Sequence, residues 1–439
     1  MARYFGTDGI RGPVGTYPMT PAFAVQLGWA IGQVLGQKGP APILIGKDTR
    51  ISGYLFETAL VSGLVSAGVN AVLLGPMPTP AVAYLIKKYQ AQAGIVISAS
   101  HNPFQDNGFK LFNAEGKKLS ASIEADIEAL LQQEAVMVPA ARLGKASRIS
   151  KASLDYLQFC KETAPNLRLD RLKIVLDCAQ GANYKLAPTL FTDLGATVFA
   201  YGVEPDGLNI NANCGSTSPS MLREKVLSHS ADLGIAFDGD GDRIILVDAT
   251  GDVFDGDDIL FLLATAQNAE LVVGTLMSNV GLEHALKSQG IPFYRTNVGD
   301  KFVLEELYKQ GGTLGGEPSG HIVCLEHSTT GDALIAALQV LQAMIKLNMP
   351  LSELKLGTRK LPQVMVNVRV KNISDALASD VFKQTLERCE TQLASIGRIV
   401  VRPSGTEPVI RILVEGPQVQ MLEQVAQSLR SVLEQTVAI

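Results

Sequence analysis

The chain predicts an α/β protein, with layered α/β units over most of its length and a smaller α+β unit at its C-terminal end. Three observations carry that reading. Short apolar runs bounded by glycine, proline or polar residues alternate with amphipathic stretches as far as residue 350, the pattern of strands separated by helices and paired largely in parallel. Beyond residue 358 the pattern changes to strict apolar/polar alternation, which marks a strand with one wet face. The 439 residues are also too many for one core, since a domain holds ~150.

In chain order, Ile43-Leu44-Ile45, Ala71-Val72-Leu73-Leu74 and Gly94-Ile95-Val96-Ile97 read as buried strands, with helices over 53–67 and 80–89 between them. Phe109-Lys110-Leu111-Phe112 reads as a strand returning from the turns at Asn102-Pro103 and Asp106-Asn107-Gly108. The pattern repeats with strands at 172–176, 232–237, 244–247 and 271–273. In the last unit Val364, Val366, Val368 and Val370 alternate with Met365, Asn367 and Arg369, followed by a helix over 375–393, strands at 399–401 and 409–414, and a helix over 418–435. Polar or Pro/Gly-containing stretches place boundaries near 147, 248 and 358, giving units 1–147, 148–248, 249–358 and 359–439.

Composition narrows the functional classes. A hydrophobic content of 46% with 18% charged residues suits soluble cores, and a net charge of -5 argues against a nucleic-acid or anionic-membrane surface. The five cysteines are far apart and form no C-x-x-C pair, as expected for reduced thiols in a cytoplasmic protein. No N-terminal leader pattern is present and no apolar run approaches ~20 residues, so no membrane partner is expected.

Two loops carry most of the chemistry. In Ala99-Ser100-His101-Asn102-Pro103 a hydroxyl nucleophile is expected exposed on a turn at the carboxyl end of a buried strand, where open α/β sheets place ligands. A Ser-His hydrolase is disfavoured, because adjacent side chains in an extended segment point apart and the G-x-S-x-G elbow is missing. In Asp238-Gly239-Asp240-Gly241-Asp242-Arg243 three carboxylates alternate with glycines, a set suited to one hard divalent cation. An EF-hand fails on spacing, with Arg243 at the sixth position and Ala249 at the twelfth. Three protein oxygens leave positions on octahedral Mg²⁺ for a phosphate oxygen and water, as phosphoryl transfer requires.

Further loops suit a phosphorylated, polyhydroxylated substrate. Gly315-Gly316-Glu317-Pro318-Ser319-Gly320-His321 offers a carboxylate, a hydroxyl and a histidine. Arg402-Pro403-Ser404-Gly405-Thr406-Glu407-Pro408 offers a guanidinium fork, two hydroxyls and backbone N–H groups, a set that fits a phosphate monoester. Arg11, on a glycine-flanked loop, could reach an anion, and Lys110 could be aimed at Ser100 by its returning strand. Singly, each of these loops also reads as an ordinary turn. Together, one per domain, they read as a site.

These motifs, in this order, resemble the α-D-phosphohexomutase superfamily over essentially the whole chain. The residues at 4–12, 97–103, 209–217 and 404–408 are most similar to its bacterial branch acting on glucosamine phosphates. The resemblance implies three related mixed α/β domains and a smaller, mobile C-terminal α+β domain around a central cleft. It implies a cytoplasmic isomerase interconverting glucosamine 6-phosphate and glucosamine 1-phosphate through a bound glucosamine 1,6-bisphosphate, on the route to UDP-N-acetylglucosamine. Carried over by motif, Ser100 is the phosphoserine donor, and with Asp238, Asp240 and Asp242 it would hold one Mg²⁺. Glu317 and Ser319 would hold sugar hydroxyls. Arg402, Ser404, Gly405 and Thr406 would grip the non-reacting phosphate, and Arg11, Lys110, Arg243 and His321 would surround the transferring group.

Lys110 or His321 would take the attacking hydroxyl's proton, with Lys110 favoured because its strand returns from the nucleophile's turn; arginines and a metal around it should lower its pKa, which suits a base. Glucosamine or glucose 1,6-bisphosphate is a candidate activator, and a homodimer is among the open assemblies. A phosphoglucomutase or phosphomannomutase, or a non-catalytic sugar-phosphate-binding relative, are the competing readings. Two positions depart from the family pattern. Pro318 replaces an expected glutamine, which deletes a backbone donor. Lys301 replaces an expected arginine, which loses a bidentate contact if one is made there.

Overall fold

A computed structural model describes residues 4–36, 39–355, 360–393, 397–403 and 409–437 and arranges them around four sheets. The first sheet contains β1 (Ile10–Pro13), β2 (Ile43–Lys47), β3 (Ala71–Pro76), β4 (Ala93–Ile97), β5 (Asp106–Asn113) and β6 (Ala146–Arg148) in the order β1-β5-β4-β2-β3-β6. The second contains β7 (Lys173–Asp177), β8 (Thr197–Tyr201), β9 (Leu233–Phe237), β10 (Ile244–Asp248) and β11 (Val253–Phe254) in the order β11-β10-β9-β7-β8. The third contains β12 (Val272–Thr275), β13 (Phe293–Thr296), β14 (Leu314–Gly316) and β15 (Ile322–Cys324) in the order β13-β12-β14-β15. The fourth pairs β16 (Gln363–Arg369), β17 (Arg398–Pro403) and β18 (Val409–Glu415) antiparallel in the order β16-β18-β17.

The first three sheets share one plan, which is less parallel than the apolar runs alone predict. Each has a parallel centre, to which an antiparallel return strand is added: β5 against β4, β10 against β9 and β15 against β14. The reason is loop length, since a short turn can only reverse the chain beside itself, whereas a parallel neighbour needs a crossover. Those three reversing turns hold Ser100, the three aspartates and Glu317. Helices pack closely on the parallel centres; a Cβ on Gly94 of β4 would lie 2.5 Å from Ile86 on the helix Thr79–Lys88, so only glycine permits this approach.

One hydrophobic core runs continuously from Leu44 and Val82 through Leu176 and Phe237 to Leu314 and Leu338, and so joins all three α/β units. The C-terminal unit has its own core, built from Val368, Phe382, Ile410, Ile412, Val414 and Leu429. Its first helix differs from expectation: the stretch 375–393 forms two helices, Ile373–Ala378 and Asp380–Leu393. Ser379 between them is extended (φ -55, ψ 127), donates its N–H to Asp375 and accepts from the N–H of Lys383. A serine is well suited to end one helix and start the next in this way. Among the described residues no helix is long and apolar enough to cross a membrane, and all five cysteines are buried and free.

Candidate active site

Ser100 follows β4 in a left-handed backbone conformation (φ 53), unusual for a residue with a side chain and a mark of a locally over-determined site. The residue is buried rather than exposed, because neighbouring loops close over it. Its N–H donates to Ser98 Oγ at 2.9 Å, and its carbonyl accepts from Arg50 Nη2 at 2.9 Å and Asn211 Nδ2 at 2.9 Å. The hydroxyl donates to Asp238 Oδ2 at 2.6 Å. The left-handed turn also brings Ser100 Oγ within 3.4 Å of His101 Nδ1, which the extended reading excluded. That nitrogen already accepts from Arg243 Nη1 at 2.9 Å. Burial, then the Arg243 and Arg11 charges, pull His101 down to about 4, so its imidazole is neutral near pH 7.

Asp238, Asp240 and Asp242 lie on the β9–β10 turn, all buried, with one carboxylate oxygen from each within 4.8 Å of the others. Asp240 Oδ1 and Asp242 Oδ1 are buried without a hydrogen-bond partner, and such atoms are costly unless a ligand satisfies them. Burial, then Asp242 and Asp240, raise Asp238 well above the usual carboxylate range. Hard oxygen donors, crowded and partly orphaned, fit a divalent cation such as Mg²⁺. The first unit steadies this loop, with Thr79 Oγ1 donating to Asp240 Oδ2 at 2.5 Å and Thr79 N–H to the Asp240 carbonyl at 2.9 Å.

Lys110 lies on β5, paired in register with Val96 of β4. Its Nζ contacts Asp240 at 2.8 Å, Asp242 at 2.9 Å and Asp8 at 3.1 Å. The lowered pKa expected for Lys110 is not what these contacts produce. Burial does act in that direction, but Asp240, Asp242 and Asp8 outweigh it and raise the lysine well above its ordinary value. Asp8 forms an ion pair with Arg11 as well. Arg11 is on a strand rather than a loop, since β1 pairs with β5 and sets Arg11 opposite Gly108.

His321 begins the return from the β14–β15 turn and sits between two carboxylates, Asp242 Oδ1 at 3.7 Å and Asp300 Oδ2 at 3.7 Å. Burial lowers its pKa, but the negative charges of Asp242, then Asp300 and Glu317, raise it to about 9. Gly331 packs flat on the imidazole, where any Cβ would overlap it. Glu317 Oε1 accepts from the N–H of Gly299 at 2.7 Å, and Ser319 Oγ lies 3.5 Å from the other carboxylate oxygen. Pro318 uses its carbonyl, which accepts from the N–H of Gly256 at 3.1 Å. Lys301 Nζ lies 3.8 Å from Glu124 across the boundary with the first unit. Arg402 lies next to the end of β17 on the C-terminal sheet, and Ser404, Gly405 and Thr406 lie outside the described residues.

The structure thus brings Ser100, the three aspartates, Lys110, Arg11, Arg243, His321 and Glu317 into one cluster. It also adds residues the motifs do not single out. Arg50, fully buried, pairs with Asp48 at 2.8 Å and donates to the carbonyls of Ser100, Asn102 (2.7 Å), Pro103 and Asp106 (3.0 Å). It therefore clamps the whole nucleophile turn. A charged pair at the carboxyl end of buried β2 was the available signal, because β2 neighbours β4. Lys118 spans the first and third units, meeting Asp8 Oδ1 at 2.7 Å and Asp300 Oδ1 at 2.6 Å. Nothing local in the sequence marks it.

Comparison with known proteins agrees with this geometry. Sequence profiles of the phosphoglucomutase/phosphomannomutase family match in order: alpha/beta/alpha domain I over 2–136, domain II over 154–251, domain III over 255–359 and the C-terminal domain over 365–432. The chain is 55% identical over 441 aligned residues to the phosphoglucosamine mutase of Aeromonas hydrophila, covering 99% of both chains. A phosphoglucomutase/phosphomannomutase family protein of Burkholderia thailandensis superposes with a TM-score of 0.80 at 23% identity, over 98% of this chain and 97% of that one. The N-acetylphosphoglucosamine mutase of Aspergillus fumigatus, solved with GlcNAc-6P and magnesium, superposes with a TM-score of 0.65 at 18% identity over 98% and 96%. With every domain matched in sequence and the full length aligned to a close relative, the chain belongs to the phosphoglucomutase/phosphomannomutase family.

Proposed function

We propose that the protein interconverts glucosamine 6-phosphate and glucosamine 1-phosphate through a phosphorylated Ser100. The observation that carries this is the Ser100 hydroxyl placed 2.6 Å from one of three crowded, buried carboxylates. The full-length likeness to a phosphoglucosamine mutase supports the sugar assignment and disfavours a phosphoglucomutase or phosphomannomutase. In this reading four units, divided near 147, 248 and 358, each give one loop to the cleft.

Phosphoserine 100 donates its phosphoryl group to the free hydroxyl of the bound sugar phosphate, giving glucosamine 1,6-bisphosphate. The bisphosphate reorients and returns its other phosphate to Ser100. Such transfers have a loose, charge-spread transition state, so alignment and positive charge do most of the catalysis. Asp238, Asp240 and Asp242, with the phosphate on Ser100, would hold one Mg²⁺, the metal named with the Aspergillus fumigatus relative. When bound, the ion would supply charge to the transferring group and would offset the negative field of Asp240 and Asp242 at Lys110. Arg243 and Arg11 add fixed charge, and Lys110 or His321 accepts the attacking hydroxyl's proton. Glu317 and Ser319 hold sugar hydroxyls, and Arg402 with its following loop grips the distal phosphate. A glucosamine or glucose 1,6-bisphosphate charges Ser100.

The test is intact mass with phosphosite mapping, coupled to an assay of glucosamine 1-phosphate formation with and without Mg²⁺. Phosphate on Ser100 that tracks with Mg²⁺-dependent turnover is expected. An unmodified Ser100 with no turnover, even after incubation with the bisphosphate, would refute the assignment.

A further inference from the structure

The three aspartates of the β9–β10 turn are not held alike. Asp238 is fixed by its own loop, with Oδ1 accepting from the N–H groups of Asp242 at 3.1 Å and Arg243 at 3.2 Å. The Asp240 carboxylate takes no bond from its loop among the described residues. Its Oδ2 accepts instead from two groups of the first unit, Thr79 Oγ1 at 2.5 Å and Lys110 Nζ at 2.8 Å. Its Oδ1 is buried without a partner. A carboxylate with one oxygen doubly engaged and the other bare is already turned for one further ligand.

Thr79 is well placed to set that orientation. It is 2% exposed and opens the helix Thr79–Lys88 between two prolines, Pro78 and Pro80. Its N–H, one of the donors that a helix start leaves free, bonds to the Asp240 carbonyl at 2.9 Å. Main chain and side chain of one residue thus grip main chain and side chain of another, across the boundary of two units. Pro78 backs the same loop, since a Cβ on Gly241 would lie 3.1 Å from the proline's Cβ. Lys110 is a less constant hold, because its ammonium is shared among Asp240, Asp242 and Asp8 and is a candidate to move a proton. We propose that Thr79 is a positioning residue of the cation site, fixing Asp240 so that Oδ1 is kept free for the ion. The metal affinity of the second unit then depends on docking of the first. The inference rests on the reading of the three aspartates as Mg²⁺ ligands and extends it to a residue outside every motif of the site.

The test titrates Mg²⁺ alone, by calorimetry, into the full chain and into Thr79→Val, Thr79→Ala and Thr79→Ser. Valine fills the same space without the hydroxyl, alanine removes hydroxyl and methyl together, and serine keeps the hydroxyl. Thr79→Val and Thr79→Ala should bind Mg²⁺ roughly tenfold to a hundredfold more weakly, the usual cost of losing a group that orients a ligand. Thr79→Ser should recover most of that loss. The Mg²⁺ concentration for half-maximal turnover should rise by the same factor in Thr79→Val, with KM for glucosamine 6-phosphate unchanged at saturating Mg²⁺. If Thr79→Val keeps wild-type Mg²⁺ affinity, or if Thr79→Ser loses as much as valine, the proposal is wrong. An equal fall of Tm in all three variants without Mg²⁺ would mark Thr79 as structural and equally overturn it. Failure of wild type to bind Mg²⁺ would remove the metal reading and the proposal together. Weakened binding by Thr79→Val in a protein that turns over no hexosamine phosphate would refute the mutase reading and leave the role of Thr79 standing.

Discussion

Ser100 and Arg402 are held in opposite ways. Ser100 is fixed by Ser98, Arg50 and Asp238, with Asn211 reaching in from the second unit, and the three units around it share one core. Arg402 belongs to a unit with a separate core, tied to the third unit by a few polar contacts. Glu415, paired within its own sheet to Arg398 at 2.7 Å, accepts from the N–H of Val280 at 2.8 Å, and Asn279 exchanges bonds of 3.0 and 2.9 Å with Leu361. Under the proposed mechanism the difference follows from the tasks. Phosphoryl transfer gains from groups held in place before substrate arrives, whereas a grip that must accept a sugar in two orientations gains from an element that can shift as a body.

The comparison makes its largest prediction at the nucleophile. Ser100→Ala should lower kcat by more than about a thousandfold, the scale of removing a nucleophile, while sugar-phosphate binding by titration calorimetry stays near wild type. Near-normal turnover in that variant would break the contrast at once. Arg50 is the next point of leverage. Arg50→Ala leaves Asp48 buried and unpaired and should cost about 3–5 kcal/mol. Arg50→Lys keeps the charge but loses the fork to the turn carbonyls, so kcat should fall up to about a hundredfold with KM unchanged. Equal effects on kcat and KM would mean Arg50 serves the fold and not the turn.

The same packed region predicts a pH effect. Asp332, buried at the start of the helix Ala333–Leu347, accepts from Tyr156 Oη at 3.0 and 2.9 Å and from the N–H of Ile335 at 3.1 Å. Burial nevertheless raises it from 3.8 to about 6. The folded protein then holds a proton that the unfolded chain releases earlier, so stability is greatest below pH 4 from this group and falls as pH rises to about 6. The loss is roughly 3 kcal/mol, as an upper bound. Asparagine also caps helices, so Asp332→Asn should flatten Tm between pH 4 and 6 and match or exceed wild type at pH 8. An unaltered slope would show that Asp332 does not titrate there.

How much of this was legible depends on whether the partner is near in the sequence. Ser100 and the aspartates are readable because each motif is complete within one turn at the end of an apolar strand. Arg50, Asn211, Lys118 and Asp300 act across strand order and unit boundaries, which apolar periodicity does not encode. The Lys110 surroundings were only partly legible for the same reason: its arginine neighbours were visible as motifs, but its contact with Asp240 and Asp242 depends on how two units dock. In the C-terminal unit the strand and helix pattern was clear, yet the break at Ser379 was not, because serine is tolerated within helices as well as at their ends.

The smallest effect tests the looser end directly. The Glu415 carboxylate, fully buried, receives a backbone N–H from the start of the helix Val280–Ser288 and a guanidinium from its own sheet, a position where both the helix dipole and Arg398 favour negative charge. Glu415→Gln keeps the shape and one acceptor but removes the charge, at a cost of about 1–3 kcal/mol. Because the C-terminal unit has its own core, the cost should appear as weakened docking and not as unfolding. Hydrogen exchange should therefore quicken for the backbone around Val280 and Leu361 while the Ser100 turn and β4 keep wild-type protection. KM for glucosamine 6-phosphate should rise a few-fold, and the rate of phosphoryl transfer at saturating substrate should hold. If exchange quickens equally at Ser100, the two ends are one cooperative body, and the division of labour drawn from their separate cores is lost.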